Sequence, residues 1–290
     1  MEERRKEASF AVSVVVVALM LRDDQLSVLL VKRSEEPFRG GWSLPGGFVR
    51  RRRGGAQEGL EEAARRGFLE ETGIDLDAAY VAQLGAYGDP GRDPRGDVVS
   101  VAYLAVRPTN SRPTAGGDAA SARWMHVSTV LEAGEGALAF DHSRILDDAV
   151  RRTSELVEST ALGVAFCPQW FTVPYLRRVY ENLWDLPRDT LDAGNFHHRV
   201  MGMTGLIEPV PDGELAMKAE EDRAIERRLG MMPTIDESGG RGRPPKQFKR
   251  GPLIRERGAA APLERPFTRP QTGQDDRGDD PGGQAPPGQT

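Results

Sequence analysis

The stretch that decides the fold of this chain runs Leu44-Pro45-Gly46-Gly47, a basic loop, Glu58, and then Arg66-Gly67-Phe68-Leu69-Glu70-Glu71-Thr72-Gly73-Ile74. On a helix, positions i, i+3 and i+4 share a face, so residues 67, 70 and 71 point the same way. Three carboxylates there would form a hard oxygen cluster suited to Mg2+ or Mn2+ bridging phosphate oxygens. Glu70 and Glu71 supply acids, and Gly67 supplies none. Upstream, Glu58 and Arg66 can pair to fix the loop against the helix, while Gly46 and Gly47 let the backbone approach a ligand closely. Gly67 also weakens the helix by about 1 kcal/mol relative to Ala, and the sequence shows no local gain in return. A blander reading makes Glu61, Glu62, Glu70 and Glu71 the solvated side of an amphipathic helix, with Leu60, Ala63, Ala64 and Phe68 packed inward. A carboxylate-rich helix alone favours that reading; the whole ordered set, from Leu44 to Ile74, reverses it.

That set resembles the Nudix box, whose pattern runs Gly, five residues, Glu, seven residues, then Arg-Glu-apolar-x-Glu-Glu-x-Gly-apolar. The seven-residue interval from Glu58 to Arg66 is kept, and so is everything after Gly67. The spacer from Gly47 to Glu58 is longer than the family's, as if residues around Arg51-Arg52-Arg53-Gly54-Gly55 were inserted. The Glu of the Arg-Glu pair, a metal ligand in active members, is Gly67 here. The resemblance implies an α/β/α sandwich over residues 8–140, without implying turnover. If a metal such as Mg2+ is held at all, Glu70 and Glu71 are its ligands.

Strand-like segments at about 10–21, 26–33, 79–87, 98–106 and 122–127 surround the acidic helix and suit such a sandwich. The first contains Val14-Val15-Val16-Val17; it is too short for a membrane-spanning helix, and no small-residue cleavage site follows it. It reads as a buried strand of a soluble, cytoplasmic protein. The loop from Gly88 to Gly96 can grip phosphates through Arg92 or Arg95, or be a solvated strand connection. The lone cysteine, Cys167, excludes an intrachain disulfide and a multi-Cys metal site, and fits a reducing compartment.

Residues 141–158 form an amphipathic helix, capped by Asp141 or Ser143, that either connects two domains or makes a dimer contact. Beyond it, Thr172 is a candidate N-cap for a helix with Val173, Leu176, Tyr180 and Leu183 on one face. A turn within Pro187–Gly194 leads to a second short helix with Phe196, Val200 and Met203 inward, and Leu206-Ile207-Glu208 starts a strand. Two such helices form either a helix-turn-helix or a packing module. A net charge of −5 over 290 residues confines any DNA contact to a local patch. Arg177, Arg178, Arg188 and Arg199 lie in or beside the helices, and residues 241–257, with Arg243 and Lys246, are basic enough for a wing meeting phosphates. His197 and His198 are adjacent, so a helix cannot aim both at one metal, and a surface or DNA-facing role suits them better. From about 257 to 290, Gly, Pro, Gln and Asp dominate, which predicts a disordered tail.

Leu138-Ala139-Phe140-Asp141-His142, Phe171-Thr172, Leu176, Val179-Tyr180-Glu181, Asn195-Phe196 and Gly242-Arg243-Pro244 follow the Nudix-like segment in order. Together they resemble the Nudix-related transcriptional regulator (NrtR) family. The resemblance implies a C-terminal winged helix within residues 159–256, a response to ADP-ribose or a related NAD metabolite, binding to double-stranded DNA, and a two-fold homodimer. Gly46, Gly47, Arg92 and Arg95 are then the expected ligand contacts, and Arg177, Arg178, Asn195, His197, His198, Arg199, Arg243 and Lys246 the expected DNA contacts. No catalytic residue is assigned with the box degenerate at Glu58, Arg66, Gly67, Glu70 and Glu71. A Mg2+-dependent Nudix hydrolase acting on ADP-ribose or another nucleoside diphosphate derivative is the alternative, and an interaction module with neither activity is a third reading.

Overall fold

The computed structural model of the protein describes residues 9–51, 54–76, 80–108, 113–211, 213–214 and 246–270. Its N-terminal half is organised by β1 (Ala11–Arg22), an apolar strand buried on both faces. The sheet order is β3 (Trp42–Ser43), β2 (Gln25–Arg33), β1, β6 (Val98–Val106), β5 (Tyr80–Tyr87), with β4 (Gly46–Phe48) paired to β1 and β7 (Ala119–His126) to β2. Strands β1 and β6 run parallel, which explains why both read as continuous apolar runs: each is covered above and below.

Alternation along β1 divides the core. Val14, Val16, Ala18 and Met20 face Ala63, Ala64 and Phe68 of α1 (Leu60–Thr72). Val15, Val17, Leu19 and Leu21 face the opposite side. There the chain continues through α2 (Val127–Glu132) into α3 (His142–Ser159), whose Ile145, Leu146 and Ala149 complete the sandwich. The five expected strands and both long helices are present, with boundaries moved by at most three residues. Strands β3 and β4 and helix α2 were not expected, because each is too short to show a period. Asp141 stands at the N-cap of α3 without capping it; its carboxylate turns to Arg92, and Ser143 accepts from the Leu138 N–H.

The C-terminal half holds α4 (Leu162–Ala165), α5 (Val173–Leu183), α6 (Ala193–Met201), β8 (Ile207–Pro209), β9 (Phe248–Arg250) and α7 (Pro252–Arg257). Thr172 caps α5 by accepting from the Tyr175 N–H at 3.3 Å, and Asp192 caps α6 from Asn195 N–H at 2.7 Å. The antiparallel β8–β9 pair is joined by Phe171, which exchanges two backbone hydrogen bonds with Phe248. Helix, turn, helix and a small sheet constitute a winged helix. The mixed-charge insert at 212–237, apart from Gly213 and Glu214, and Arg243 lie outside the described residues.

The expectation of a loose tail from residue 257 needs correction for 258–270. Ala259, Ala261, Leu263 and Phe267 are buried there. Averaging composition over the whole tail hid these four apolar anchors. Among the described residues, no helix is long and apolar enough to cross a membrane.

Candidate functional site

The Nudix-like segment folds as its spacing requires. Arg66 donates to both oxygens of Glu58, at 2.6 and 2.9 Å, and to the carbonyl of Phe48 at 3.0 Å. Glu58 also accepts from the Arg50 N–H at 2.6 Å, and Arg66 holds its carboxyl below the usual carboxylate range. The longer spacer does no harm to this arrangement, because an Arg51–Gln57 bridge brings its two ends together. Arg50 and Glu58 therefore end up as neighbours, with the Glu58 N–H on the Arg50 carbonyl at 3.1 Å.

Gly67 is not a costly vacancy but a packing requirement. A Cβ built on Gly67 would lie 2.5 Å from the Gly46 carbonyl oxygen. Gly46 is itself pressed onto β1, where a Cβ would lie 2.0 Å from the Val14 carbonyl oxygen. The close approach that the two glycines of the loop suggested is thus made by Gly46 to its own sheet and helix. Gly47 pairs opposite Val14 and lines the cavity.

The remaining acids do not form a metal site. Glu70 receives both terminal nitrogens of Arg50, at 2.8 and 3.0 Å, and Arg66 at 3.0 Å. Glu71 accepts from the Gly46 N–H at 2.9 Å, and burial pushes its carboxyl up to about 7. One carboxylate is thereby held by guanidinium groups and the other is buried on the Gly46 N–H. Position 67 offers no donor and no space for one. Among the described residues, no group of three or more His, Cys, Asp or Glu is placed to hold a metal ion. The donor set does not fit the Mg2+ that the Nudix fold implies.

Above these residues opens a cavity of about 310 Å3, lined by β1, β4, α1, the loop carrying Arg92, Asp93 and Arg95, and the head of α3. Five arginines reach it: Arg33, Arg50, Arg66, Arg92 and Arg95. They differ in availability. The Arg92 side chain is only 4% exposed and grips Asp141 with two nitrogens, so it fastens the loop to the start of α3. Arg95 is 39% exposed, paired with Asp93, and lies over the rings of Phe48 at 4.7 Å and Phe140 at 5.2 Å. Arg33 lies over the same Phe140 ring at 5.0 Å. Burial and the neighbouring Arg95 hold the Arg33 guanidinium below its ordinary range. Two like charges on one ring attract an anion. His142 completes the wall: it is fully buried, accepts from the Leu44 N–H at 3.0 Å, and burial pushes it down to about 3, so it stays neutral. Arg33, Arg50, Phe48 and Phe140 were missed as site residues, since nothing in their local spacing marks them; only the fold assembles them.

The expected DNA contacts separate into two groups. Arg178 bonds Glu181 at 2.6 Å and the Asp24 carbonyl at 3.4 Å, and Arg177 pairs with Asp189 and donates to the Leu191 carbonyl at 2.9 Å. Both are mostly buried and brace α5 against its turn and against the β1–β2 connection. Asn195, His197 and His198 are exposed on α6, and Lys246 is exposed beside β9. Arg199 is exposed on α6 too, but it donates to the Pro266 carbonyl and lies over the Phe267 ring.

The NUDIX domain family matches residues 11–148. An ADPR responsive transcriptional repressor, NtrR, of Acinetobacter baylyi is 31% identical over 194 residues, which is 67% of this chain and 73% of that protein. An ADP-ribose pyrophosphatase of Methanocaldococcus jannaschii is 36% identical over 139 residues, 48% of this chain and 73% of that enzyme. Among solved structures, Shewanella oneidensis NrtR complexed with a 27mer DNA aligns with a TM-score of 0.61 at 26% identity, covering 89% of this chain and 99% of that one. The pyrophosphatase match covers about half of this chain, whereas the repressor and the NrtR structure match two thirds or more of it, and the chain belongs to the Nudix-related transcriptional regulator (NrtR) family.

Proposed function

We propose that this chain is a transcriptional regulator whose N-terminal cavity binds ADP-ribose or a related NAD metabolite and whose winged helix binds double-stranded DNA. The observation that carries the reading is the contact between Gly67 and Gly46, which leaves no room for the acid of an active Nudix helix in a fold that continues into a winged helix. Arg33 and Arg95 would hold the diphosphate, because an anion between them relieves their mutual repulsion. Asn195, His197, His198 and Lys246 would face DNA. A two-fold dimer would match paired half-sites. Ligand and DNA are linked only if the ligand binds one arrangement of the protein better than another. Mobility shifts on the DNA upstream of the chain's own gene, with and without ADP-ribose, test this. A specific, salt-sensitive shift that ADP-ribose changes is expected; no specific shift under either condition overturns it.

The second reading is a hydrolase, and the identity to an ADP-ribose pyrophosphatase favours it. Incubating the protein with ADP-ribose and Mg2+ separates the two. A sensor returns the ligand intact, whereas release of AMP at an enzymatic rate would establish turnover.

A further inference from the structure

The segment after α7 closes a path between the cavity and the DNA-facing helix. It crosses the end of α3, where Ala161 N–H donates to the Ala261 carbonyl at 3.0 Å, Leu263 N–H to the Ser159 carbonyl at 2.8 Å, and Phe267 N–H to the Glu158 carbonyl at 2.7 Å. The carbonyls of Glu158 and Ser159 belong to the last turn of α3 and have no partner within the helix, so the segment supplies what the helix end lacks. It then reaches α5 and α6. The Phe267 ring is 4% exposed, 4.5 Å from Tyr180 and stacked 5.4 Å from Phe196. Arg199 of α6 donates to Pro266 and covers Phe267 at 5.1 Å, while Arg269 donates to the Trp184 carbonyl at 2.8 Å.

At its other end, α3 forms part of the cavity. Phe140 and His142 line the wall, and Asp141 is held by Arg92. The 18 residues of α3 span about 27 Å from that wall to the strap. A shift at the helix head therefore moves the carbonyls to which residues 263 and 267 are bonded. Phe267 touches Phe196 and Arg199, so it is placed to pass such a displacement to them.

We propose that residues 259–269 are a coupling strap, with Phe267 the positioning residue that fixes α6 to the far end of α3. The proposal rests on the sensor reading above. Its content is that the strap sets the pose of the DNA-facing helix and transmits cavity occupancy to it, rather than merely covering the core.

The test compares the intact chain with Phe267→Ala, Phe267→Leu and Arg269→Ala, all full length. Three quantities are read: ADP-ribose affinity without DNA, amide hydrogen exchange across α6, and the ratio of DNA affinities with and without ADP-ribose. Phe267→Ala should keep ADP-ribose affinity within about twofold, speed α6 exchange by at least about tenfold, and bring the DNA ratio towards unity. Phe267→Leu should restore much of the slow exchange and the ratio. Should Phe267→Ala fail to fold, Arg269→Ala, which removes only the clip on Trp184, is expected to show the same pattern more weakly. Unchanged α6 exchange and an unchanged ratio in folded variants overturn the strap. An intact chain whose DNA affinity ignores ADP-ribose refutes the sensor reading instead, and α6 exchange alone then decides whether Phe267 positions the helix.

Discussion

Gly67 and Gly46 meet backbone to backbone, so closely that a Cβ at 67 would sit 2.5 Å from the Gly46 carbonyl oxygen. The atom in the way is main chain, pinned by the pairing of β4 with β1, and cannot swing aside as a side chain would. This decides the sign of a substitution that propensity alone gets wrong. Replacing a helical Gly by Ala gains about 1 kcal/mol from the backbone, whereas overpacking costs about 1–3 kcal/mol. Gly67→Ala is expected to lower the melting temperature, and a variant melting above the parent would show that the helix lifts off the strand freely.

Restoring the missing acid should not restore an enzyme. The Cβ of Gly67→Glu meets the same carbonyl, and Glu70 stays neutralised by Arg50 and Arg66. Incubated with ADP-ribose and Mg2+, this variant should release no more AMP than the parent. Strong gain of hydrolysis would mean that the packing around Gly46 yields easily.

Glu71 gives the cavity a pH dependence whose sign follows from its environment. Burial raises it to about 7, helped by Asp118 and Glu70 and opposed by the Gly46 N–H and Arg33. A carboxyl raised on folding contributes stability that is fully present below about pH 4.3, its unfolded range, and is lost as pH rises through the folded value of about 7. With an anionic ligand in the cavity as proposed, the same ionisation would put a negative charge on the cavity wall. ADP-ribose affinity, measured by calorimetry between about pH 6 and about pH 8, should fall with rising pH in the parent and stay flatter in Glu71→Gln. A parent as steep as the variant would remove Glu71 from the account.

Legibility in the sequence divided along physical lines. Long periodic segments such as β1 and α3 announced themselves, and so did the Glu58–Arg66 pair, because its spacing is a local property of one loop and one helix. The reason for Gly67 did not, since it lies in a contact with a strand twenty-one residues upstream. Charge is hard to read for a similar reason: the pairing of Arg92, Arg177 and Arg178 with Asp141, Asp189 and Glu181 appears only in the fold. Phe140 and Arg33 became site residues only when β2 and the head of α3 were brought together.

Arg178 accordingly behaves as part of the core. Its partner Glu181 is wholly buried and also accepts from the Leu191 N–H at 3.3 Å, so it organises the turn between α5 and α6. Removing one member of a buried ion pair leaves an uncompensated charge and costs about 3–5 kcal/mol. Arg178→Ala should melt far below the parent, whereas Asn195→Ala and His197→Ala, both exposed, should melt normally and weaken DNA binding. An Arg178→Ala protein of parental stability with weakened DNA binding would return that arginine to the interface.

Arg95 and Arg92 lie three residues apart and should fail in opposite ways. Arg95 is partly exposed over Phe48 and Phe140 and lines the cavity. Arg95→Lys keeps a cation beside the buried Asp93 but loses the two-pronged guanidinium, so it should weaken ADP-ribose severalfold at nearly unchanged stability. Arg92 is nearly buried and directs Nε and Nη2 at Asp141. Its loss strands that carboxylate at the head of α3, so Arg92→Ala should first lower the melting temperature. Calorimetric titration beside thermal melting distinguishes the two, and equal loss of affinity without loss of stability in Arg92→Ala would mean that it, too, reaches the ligand.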